Sequence, residues 1–226
     1  EEPTRQNIST PSLSNRRSWL HQQVITAALA LATGVVARPL PAYAAYIDTL
    51  TTPPKITDQV YLDIEWVDSK SMKQQGRLVL GLFGELMPTT VDNFVTLCKT
   101  NQYAGTNFYR IISEYSIQGG AIGDETESGK TGTSSFGSSF EPDNFNIQHN
   151  QKGLVSMVKD RTGGVDSRFF IQFTDDGGWA DDRYAAFGIL LTEASFNVLK
   201  ELEQLPVQPP KNNPKQPVKI VASGVL

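Results

Sequence analysis

One arginine and one glutamine, eight residues apart in a short apolar stretch, are the side chains in this sequence best suited to chemistry. Residues 108–120 read FYRIISEYSIQGG, so Arg110 and Gln118 lie in two apolar segments separated by a turn. A guanidinium keeps its positive charge and offers its N–H donors in a fixed fork. A half-buried Arg110 is therefore suited to donating to an electron-rich atom of a ligand. The alternative is an ordinary arginine whose stem packs on a strand and whose charge is paired at the surface.

Runs of alternating or continuous apolar residues predict the strands that would position this stretch. The predicted strands are residues 61–66, 77–82, 108–112, 116–119, 154–158, 168–173, 185–190 and 218–223. Pro88 stands where a helix tolerates proline, and the apolar residues after it predict a helix that ends near Thr100. A second helix is predicted at residues 194–202. Four prolines make residues 205–216 an extended connector.

The stretch at residues 108–120 resembles the active-site signature of the cyclophilins, the peptidyl-prolyl isomerases that also bind cyclosporin. Other segments resemble the family in the same order, from about Val60 to Leu226. These segments are Phe140-Glu141 with Asn144-Phe145, residues 153–157, residues 167–171, and Trp179 with residues 187–188. The resemblance implies a mainly β fold: a closed eight-stranded antiparallel barrel with two capping helices and a site on its outer face. It also implies isomerisation of X-Pro bonds without a cofactor.

The resemblance also assigns roles to individual residues. Arg110 would be the catalytic arginine that polarises the prolyl nitrogen, and Gln118 would orient it or hold the substrate backbone. The predicted substrate-binding residues are Tyr115, Ser116, Lys159, Arg168, Phe170, Trp179 and Tyr184. The four aromatic rings among them are expected to form a cage for the proline ring.

Several positions depart from the family pattern. Ser116 replaces the usual Met and Arg168 the usual Gln, while Lys159 and Asp160 fall in a strip that is usually Ala-Asn-Ala. Two guanidiniums facing one cleft would repel each other, unless Asp160 pairs with Arg168 or with Arg110. We therefore expect isomerase activity that is weak or altered in substrate choice. We do not expect tight cyclosporin binding.

A docking module without catalysis is the alternative function. It would use the same groove, or the Gly/Ser/Thr-rich loop at residues 123–139, to bind a membrane protein. The charges of Lys159, Asp160 and Arg168 favour this alternative, because the family keeps neutral groups at these positions.

The start of the chain resembles an export signal. Arg16 and Arg17 precede an apolar run at residues 24–37, which is too short to span a bilayer. Ala42-Tyr43-Ala44 then forms a small-x-small cleavage site. The paired arginines indicate the twin-arginine route, and the Ser/Thr-rich lead resembles the second half of a bipartite plastid transit peptide. The predicted location is the chloroplast thylakoid lumen, with a bacterial periplasm as the alternative.

These signals divide the chain into three predicted parts. Residues 1–44 are a transit and twin-arginine export signal that is removed. Residues 45–57 form an extended lead-in, since Pro53-Pro54 does not fit a helix. Residues 58–226 form the cyclophilin-like domain.

Composition argues against several classes of protein. The 226 residues carry a net charge of −4 and show no basic stripe, so nucleic acid is not an expected partner. The single cysteine, Cys98, excludes an internal disulfide and is predicted to be a buried, inert thiol. With only two histidines, no His/Cys cluster suggests a metal site. The expected partners are proline-containing polypeptides and, as a further candidate, a photosynthetic membrane complex on its lumenal side.

Overall fold

The computed structural model describes residues 46–226, and the predicted export signal at residues 1–44 lies outside the described residues, as does Ala45. The helices are α1 (Pro88–Lys99) and α2 (Glu193–Glu203). The strands are β1 (Asp58–Val67), β2 (Lys73–Leu82), β3 (Phe108–Ile112), β4 (Ser116–Gly119), β5 (Leu154–Lys159), β6 (Val165–Gln172), β7 (Ala186–Leu190), β8 (Val207–Gln208), β9 (Asn213–Pro214) and β10 (Lys219–Val225). All eight predicted strands and both predicted helices are present within a few residues of their expected bounds.

Alternation along β1 explains which face of the sheet is buried. Leu62, Ile64 and Trp66 point to the core, and the residues between them are more exposed. Because side chains alternate across a strand, this pattern fixes the register of the hairpin with β2. The pairing runs without interruption from Asp58 opposite Leu82 to the turn. The predicted hairpin is thus confirmed.

Eight strands form one antiparallel sheet in the order β10-β1-β2-β7-β5-β6-β4-β3. The sheet curls, so that the segment before β3 reaches the other edge strand: Phe108 N donates to Val218 O at 2.8 Å, and Ile220 N donates to Thr106 O at 2.9 Å. Within the described residues, no continuous ladder joins β3 to β10. The mainly β fold is confirmed, whereas the predicted closed barrel is observed only as a curled sheet whose edges touch at this place.

Both helices pack an apolar side on the sheet. In α1, Pro88 occupies the first turn, and Val91, Phe94 and Cys98 are buried at helical spacing. In α2, Leu199 and Leu202 are buried in the same way. Burial of these side chains anchors α1 against β1, β6 and β10, and α2 against β2. Among the described residues, neither helix nor any other is long and apolar enough to cross a membrane.

Strand β6 connects the core to the outer face of the sheet. Phe169 is fully buried in the core, where its ring meets Phe94 edge-on at 5.4 Å between centroids. The next residue, Phe170, points to the opposite face, because consecutive side chains on a strand alternate. The same packing that holds Phe169 therefore fixes the position of Phe170 on the outer face.

Residues 205–216, predicted to be an extended connector, instead form a short hairpin with a turn at residues 209–212, and this hairpin lies beside the edge strand β3. Its only regular structure is the two-residue ladder of β8 and β9. Asn212 O accepts from Ile111 N at 2.9 Å, and Asn213 donates its side-chain amide to Tyr109 O at 2.7 Å. These bonds satisfy backbone groups that an edge strand leaves unpaired.

Candidate active site

Four neighbouring strands place one side chain each in a row across the outer face of the sheet. Arg110 on β3 is paired with Gln118 on β4, Gln118 with Phe170 on β6, and Phe170 with Ser156 on β5. Residues directly opposite each other share a face, with Cβ atoms about 5 Å apart. The sheet therefore aligns a cation, an amide and an aromatic ring in sequence.

Two polar members of this row, Arg110 and Gln118, form no side-chain bonds within the described part of the protein. Arg110 is exposed, whereas the sequence predicted it to be half-buried, and Gln118 is half-buried. Across residues 46–226, no hydrogen bond or ion pair involves the guanidinium of Arg110 or the side-chain amide of Gln118. Both groups can therefore donate to a ligand without first breaking an internal bond.

The four predicted cage residues lie together around Phe170. The Phe170 ring is 5.2 Å from Tyr184 and 5.7 Å from Trp179, measured between centroids. Trp179 in turn lies 5.9 Å from Tyr115, which is 50% exposed and forms the outer rim. Phe170 itself is 1% exposed, so it forms a floor that the surrounding residues cover. The arrangement offers an apolar surface to a small ring next to the free donor of Arg110.

A buried histidine supports this floor from below. The His149 ring is nearly parallel to Phe170, with 18° between planes and 6.3 Å between centroids. Its Nδ1 lies 3.1 Å from Asp181 Oδ1, and its Nε2 lies 2.8 Å from Ser156 Oγ. Burial lowers the pKa of His149, and the nearby Asp181 opposes that shift. The neutral ring donates from Nδ1 to the carboxylate and accepts from the Ser156 hydroxyl.

Ser156, His149 and Asp181 are hydrogen-bonded in the same sequence as the residues of a hydrolytic triad, yet this arrangement is not suited to nucleophilic attack. Ser156 is fully buried, so its hydroxyl has no access to a substrate. Geometry and access define such a triad, and access is missing here. The network instead holds together three segments that surround Phe170.

Ser116 lies on β4 on the same face as Gln118, and it is only 1% exposed. Its hydroxyl is buried and has no hydrogen-bond partner among the described residues. The predicted substrate-binding residue is therefore placed beneath the surface of the site, where it contributes little apolar area.

The Arg168 guanidinium is paired inside the protein, so the expected repulsion between two free guanidiniums in one cleft is not observed. Its side chain is 5% exposed and pairs with Asp166, Nη2 to Oδ2 at 2.6 Å. Its Nη1 donates to the carbonyls of Gly129 and Lys130, both at 2.9 Å. Because Asp166 and the loop carbonyls take up its donors, Arg168 anchors the loop at residues 123–139.

The two other charges of this region are also engaged inside the protein. Lys159 Nζ lies over the Phe145 ring at 4.1 Å from its centroid, a cation–π contact. Asp160 accepts from Thr162 and from Gly164 N, so the expected pairing of Asp160 with Arg168 or Arg110 is not observed. Hydrogen bonds, chiefly from the Thr162 hydroxyl, lower the pKa of Asp160.

Sequence reasoning missed His149, Ser156, Asp166 and Asp181. The pairing of Asp166 with Arg168 could have been predicted from the sequence, because residues two apart on a strand share a face. The His149 network had no local signal, since its three members come from segments that only the fold brings together. Among residues 46–226, no three His, Cys, Asp or Glu side chains are grouped so as to hold a metal ion.

Comparison with known proteins finds relatives that are named peptidyl-prolyl cis-trans isomerases. Peptidyl-prolyl cis-trans isomerase B of Saccharomyces cerevisiae is 37% identical over 140 residues, which is 59% of this chain and 64% of the relative. Peptidyl-prolyl cis-trans isomerase CYP21-1 of Arabidopsis thaliana is 38% identical over 146 residues, 59% of this chain and 61% of the relative. Peptidyl-prolyl cis-trans isomerase D of Saccharomyces cerevisiae is 36% identical over 177 residues, 76% of this chain and 74% of the relative.

The chain thus spans less than two thirds of the length of the first two relatives. The family model described as cyclophilin type peptidyl-prolyl cis-trans isomerase/CLD matches residues 67–225, which include every strand from β2 to β10 and the whole row from Arg110 to Phe170. This chain belongs to the cyclophilin-type peptidyl-prolyl cis-trans isomerase family.

Proposed function

We propose that this chain catalyses cis–trans isomerisation of X-Pro bonds in polypeptides. The observation that carries the proposal is the unengaged guanidinium of Arg110, aligned through Gln118 with the aromatic floor at Phe170. The family and its relatives support the same reaction.

The reaction requires a barrier to be lowered and no bond to be broken. Rotation about an amide meets a barrier of roughly 18–20 kcal/mol, because the nitrogen lone pair is delocalised into the carbonyl. At X-Pro bonds the two isomers are close in energy but exchange slowly. A donor aimed at the prolyl nitrogen removes its lone pair from resonance and lowers the barrier.

The site supplies such a donor and a place for the ring. The proline ring rests on the more exposed rings of Tyr115, Trp179 and Tyr184 above the buried Phe170, while the carbonyl on its N-terminal side rotates. Arg110 donates an N–H to the prolyl nitrogen, and Gln118 holds the substrate backbone or orients Arg110. The reaction needs no proton transfer, so the permanent charge of Arg110 suits it.

The composition of the cage favours an altered choice of substrate. Ser116 stands where the family usually has Met, and burial of each methylene is worth about 0.8 kcal/mol. The buried Ser116 hydroxyl offers little of that area, so proline peptides bind less tightly than to an apolar wall. The internal pairing of Arg168 offsets the charge repulsion that was expected to weaken binding.

Replacement of Arg110 tests the reaction directly. In a protease-coupled assay on a series of X-Pro peptides, Arg110→Ala is expected to lower kcat/KM by about 100-fold, the usual effect of losing one transition-state donor. Arg161→Ala is the matched control, because Arg161 is also exposed. Gln118→Ala is expected to fall between the two. Retention of kcat/KM in Arg110→Ala would overturn the proposal.

Docking without catalysis is the less favoured function. The charges that suggested it, on Lys159, Asp160 and Arg168, are engaged inside the protein. If Arg110→Ala abolishes turnover in vitro but leaves the cellular role intact, docking becomes the function of this chain.

We propose the thylakoid lumen as the place of action, with a lumenal photosynthetic membrane complex as a client. Arg16-Arg17, the apolar run at residues 24–37 and Ala42-Tyr43-Ala44 support this proposal. The chain, synthesised behind a stromal transit peptide, is expected to enter isolated chloroplasts and to accumulate in the lumen in processed form. Replacing both arginines by lysine is expected to stop it in the stroma. Stromal accumulation of the unchanged chain would contradict the location. Co-purification from thylakoids tests the client.

A further inference from the structure

Residues 46–50 lie outside the region that matches the family, and they pack beside the candidate site. We name them the strap. The strap runs parallel to residues 146–150 and is joined to them by a bridge between Ile47 and Ile147. Ile47 N donates to Asn146 O at 2.8 Å, and Ile47 O accepts from Gln148 N at 3.0 Å.

Side chains reinforce the contact of the strap. Thr49 is 4% exposed, and its hydroxyl donates to Asn150 Oδ1 at 2.7 Å. Asn150 donates its amide to Asp48 Oδ1 at 2.6 Å. Ile47 also packs against the hydrophobic core. The strap is thus part of the folded domain, whereas the sequence indicated only an extended lead-in.

The segment held by the strap in turn holds the part of the chain that carries two cage rings. We name residues 177–184, which include Trp179 and Tyr184, the cage turn. His149 O accepts from Gly177 N at 2.8 Å at one end of this turn. His149 N donates to Asp181 Oδ1 at 2.8 Å farther along. One residue, flanked on either side by partners of the strap, therefore fixes the cage turn at two points.

The strap also reaches the cage turn directly. The hydroxyl of Tyr46 donates to a carboxylate oxygen of Asp182, the residue after the one bound by His149. Two routes, one through residues 146–150 and one through Tyr46, thus link the strap to the segment between Trp179 and Tyr184.

We propose that Ile47 and Thr49 of the strap are positioning residues for the aromatic cage. By holding residues 146–150 against the cage turn, they keep Trp179 and Tyr184 in place around Phe170. This inference rests on the proposed function for its effect on proline peptides, and on geometry alone for its effect on the cage turn.

Two strap variants of the full chain test the proposal. Ile47→Pro removes the N–H that bonds Asn146, and Thr49→Val keeps the shape of Thr49 but removes its hydroxyl. In each variant, amide exchange at Gly177, followed by NMR, is expected to accelerate by about tenfold, because local opening becomes easier. KM for X-Pro peptides is expected to rise by about threefold with kcat nearly unchanged, since the cage binds the ring but does not donate to the nitrogen.

Two controls separate positioning from general loss of stability. Thr49→Ser keeps the hydroxyl and is expected to restore Gly177 exchange and KM. Lys55→Ala lies in the same lead-in but pairs with Glu85, away from residues 146–150, and is expected to change neither. Unchanged Gly177 exchange and an unchanged Trp179 indole resonance in both strap variants would overturn the proposal. If the unmodified chain shows no turnover, the isomerase function fails, while Gly177 exchange and the Trp179 resonance still decide the role of the strap.

Discussion

Arg168 and Asp166 lie two residues apart on one face of β6, with Nη2 of the guanidinium 2.6 Å from Oδ2 of the carboxylate. The Arg168 Nε atom also donates to both carboxylate oxygens at 3.0 Å. The remaining bonds of the guanidinium go to the carbonyls of Gly129 and Lys130. The pair therefore links the longest loop of the domain to a central strand, in a place from which water is nearly excluded.

Removal of one partner of this pair is expected to be costly. Asp166→Ala leaves a buried, unpaired guanidinium and is expected to lower the free energy of unfolding by about 3 kcal/mol. The double variant Asp166→Ala with Arg168→Gln is expected to lose less unfolding free energy than Asp166→Ala alone, because no charge remains buried. Urea unfolding of the singles and the double provides the measurement. The exposed pair of Arg77 and Asp63 is the control, where Asp63→Ala is expected to lose about 0.5 kcal/mol. Equal losses at the two sites would contradict this account.

Replacing either of two buried serines by alanine is expected to change the free energy of unfolding, but in opposite directions. The Ser116 hydroxyl has no partner within the described residues, so Ser116→Ala is expected to raise the free energy of unfolding by about 1 kcal/mol. The Ser156 hydroxyl bonds His149 at 2.8 Å, so Ser156→Ala is expected to lower it by about 1 kcal/mol. Thermal or urea unfolding measures both. A loss at Ser116 equal to that at Ser156 would show that the Ser116 hydroxyl has a partner.

Two glycines of the loop at residues 123–139 provide another matched pair. Both adopt positive φ, +68° at Gly129 and +89° at Gly137. A Cβ at Gly129 would lie 2.2 Å from the Tyr109 ring, whereas a Cβ at Gly137 would meet nothing within 4 Å. Gly137→Ala is expected to cost about 1 kcal/mol for backbone strain, and Gly129→Ala at least twice that amount. Similar unfolding free energies for the two variants would indicate that the loop shifts away from Tyr109 at little cost.

His149 is expected to make stability depend on pH. Burial lowers its pKa below the ordinary value of 6.5, with partial opposition from Asp181. The unfolded state then binds the proton more readily than the folded state, so the free energy of unfolding falls as the pH drops below 6.5. The groups facing the ring are Asp181, Ser156 and Phe170.

Replacement of His149 separates this contribution from that of the carboxyl groups. His149→Gln is expected to be less stable at neutral pH, yet to lose less further stability between pH 6.5 and about pH 5 than the unchanged protein does. Urea unfolding at several pH values gives the two slopes. Identical slopes would mean that His149 is protonated equally in the folded and unfolded states.

Features that depend on residues close together in the sequence could be predicted from it. The bounds of β3 and β4 were predicted residue by residue, because the apolar segments around Arg110 and Gln118 are separated by a clear turn. The start of α1 was predicted at Pro88, since proline fits only the first turn of a helix. The four rings of the cage were found through the family resemblance, and the structure brings them together.

Features that depend on contacts between segments distant in the sequence could not be predicted from it. Nothing in the sequence indicates that Ile47 pairs with Ile147, or that His149 meets Asp181. Arg168 was assigned to the cleft by its position in the family pattern, but Asp166 on the same strand face supplies a charge partner. An ion pair formed within β6 therefore neutralises the charge that the pattern placed in the cleft.

The single thiol has a consequence for where this protein can work. Cys98 is fully buried on α1, and burial raises the pKa of its thiol far above the ordinary value, so no reactive thiolate is presented to solvent. With no second cysteine in the chain, no internal disulfide can form or be reduced. The covalent structure of the described domain is therefore the same in an oxidising and in a reducing compartment.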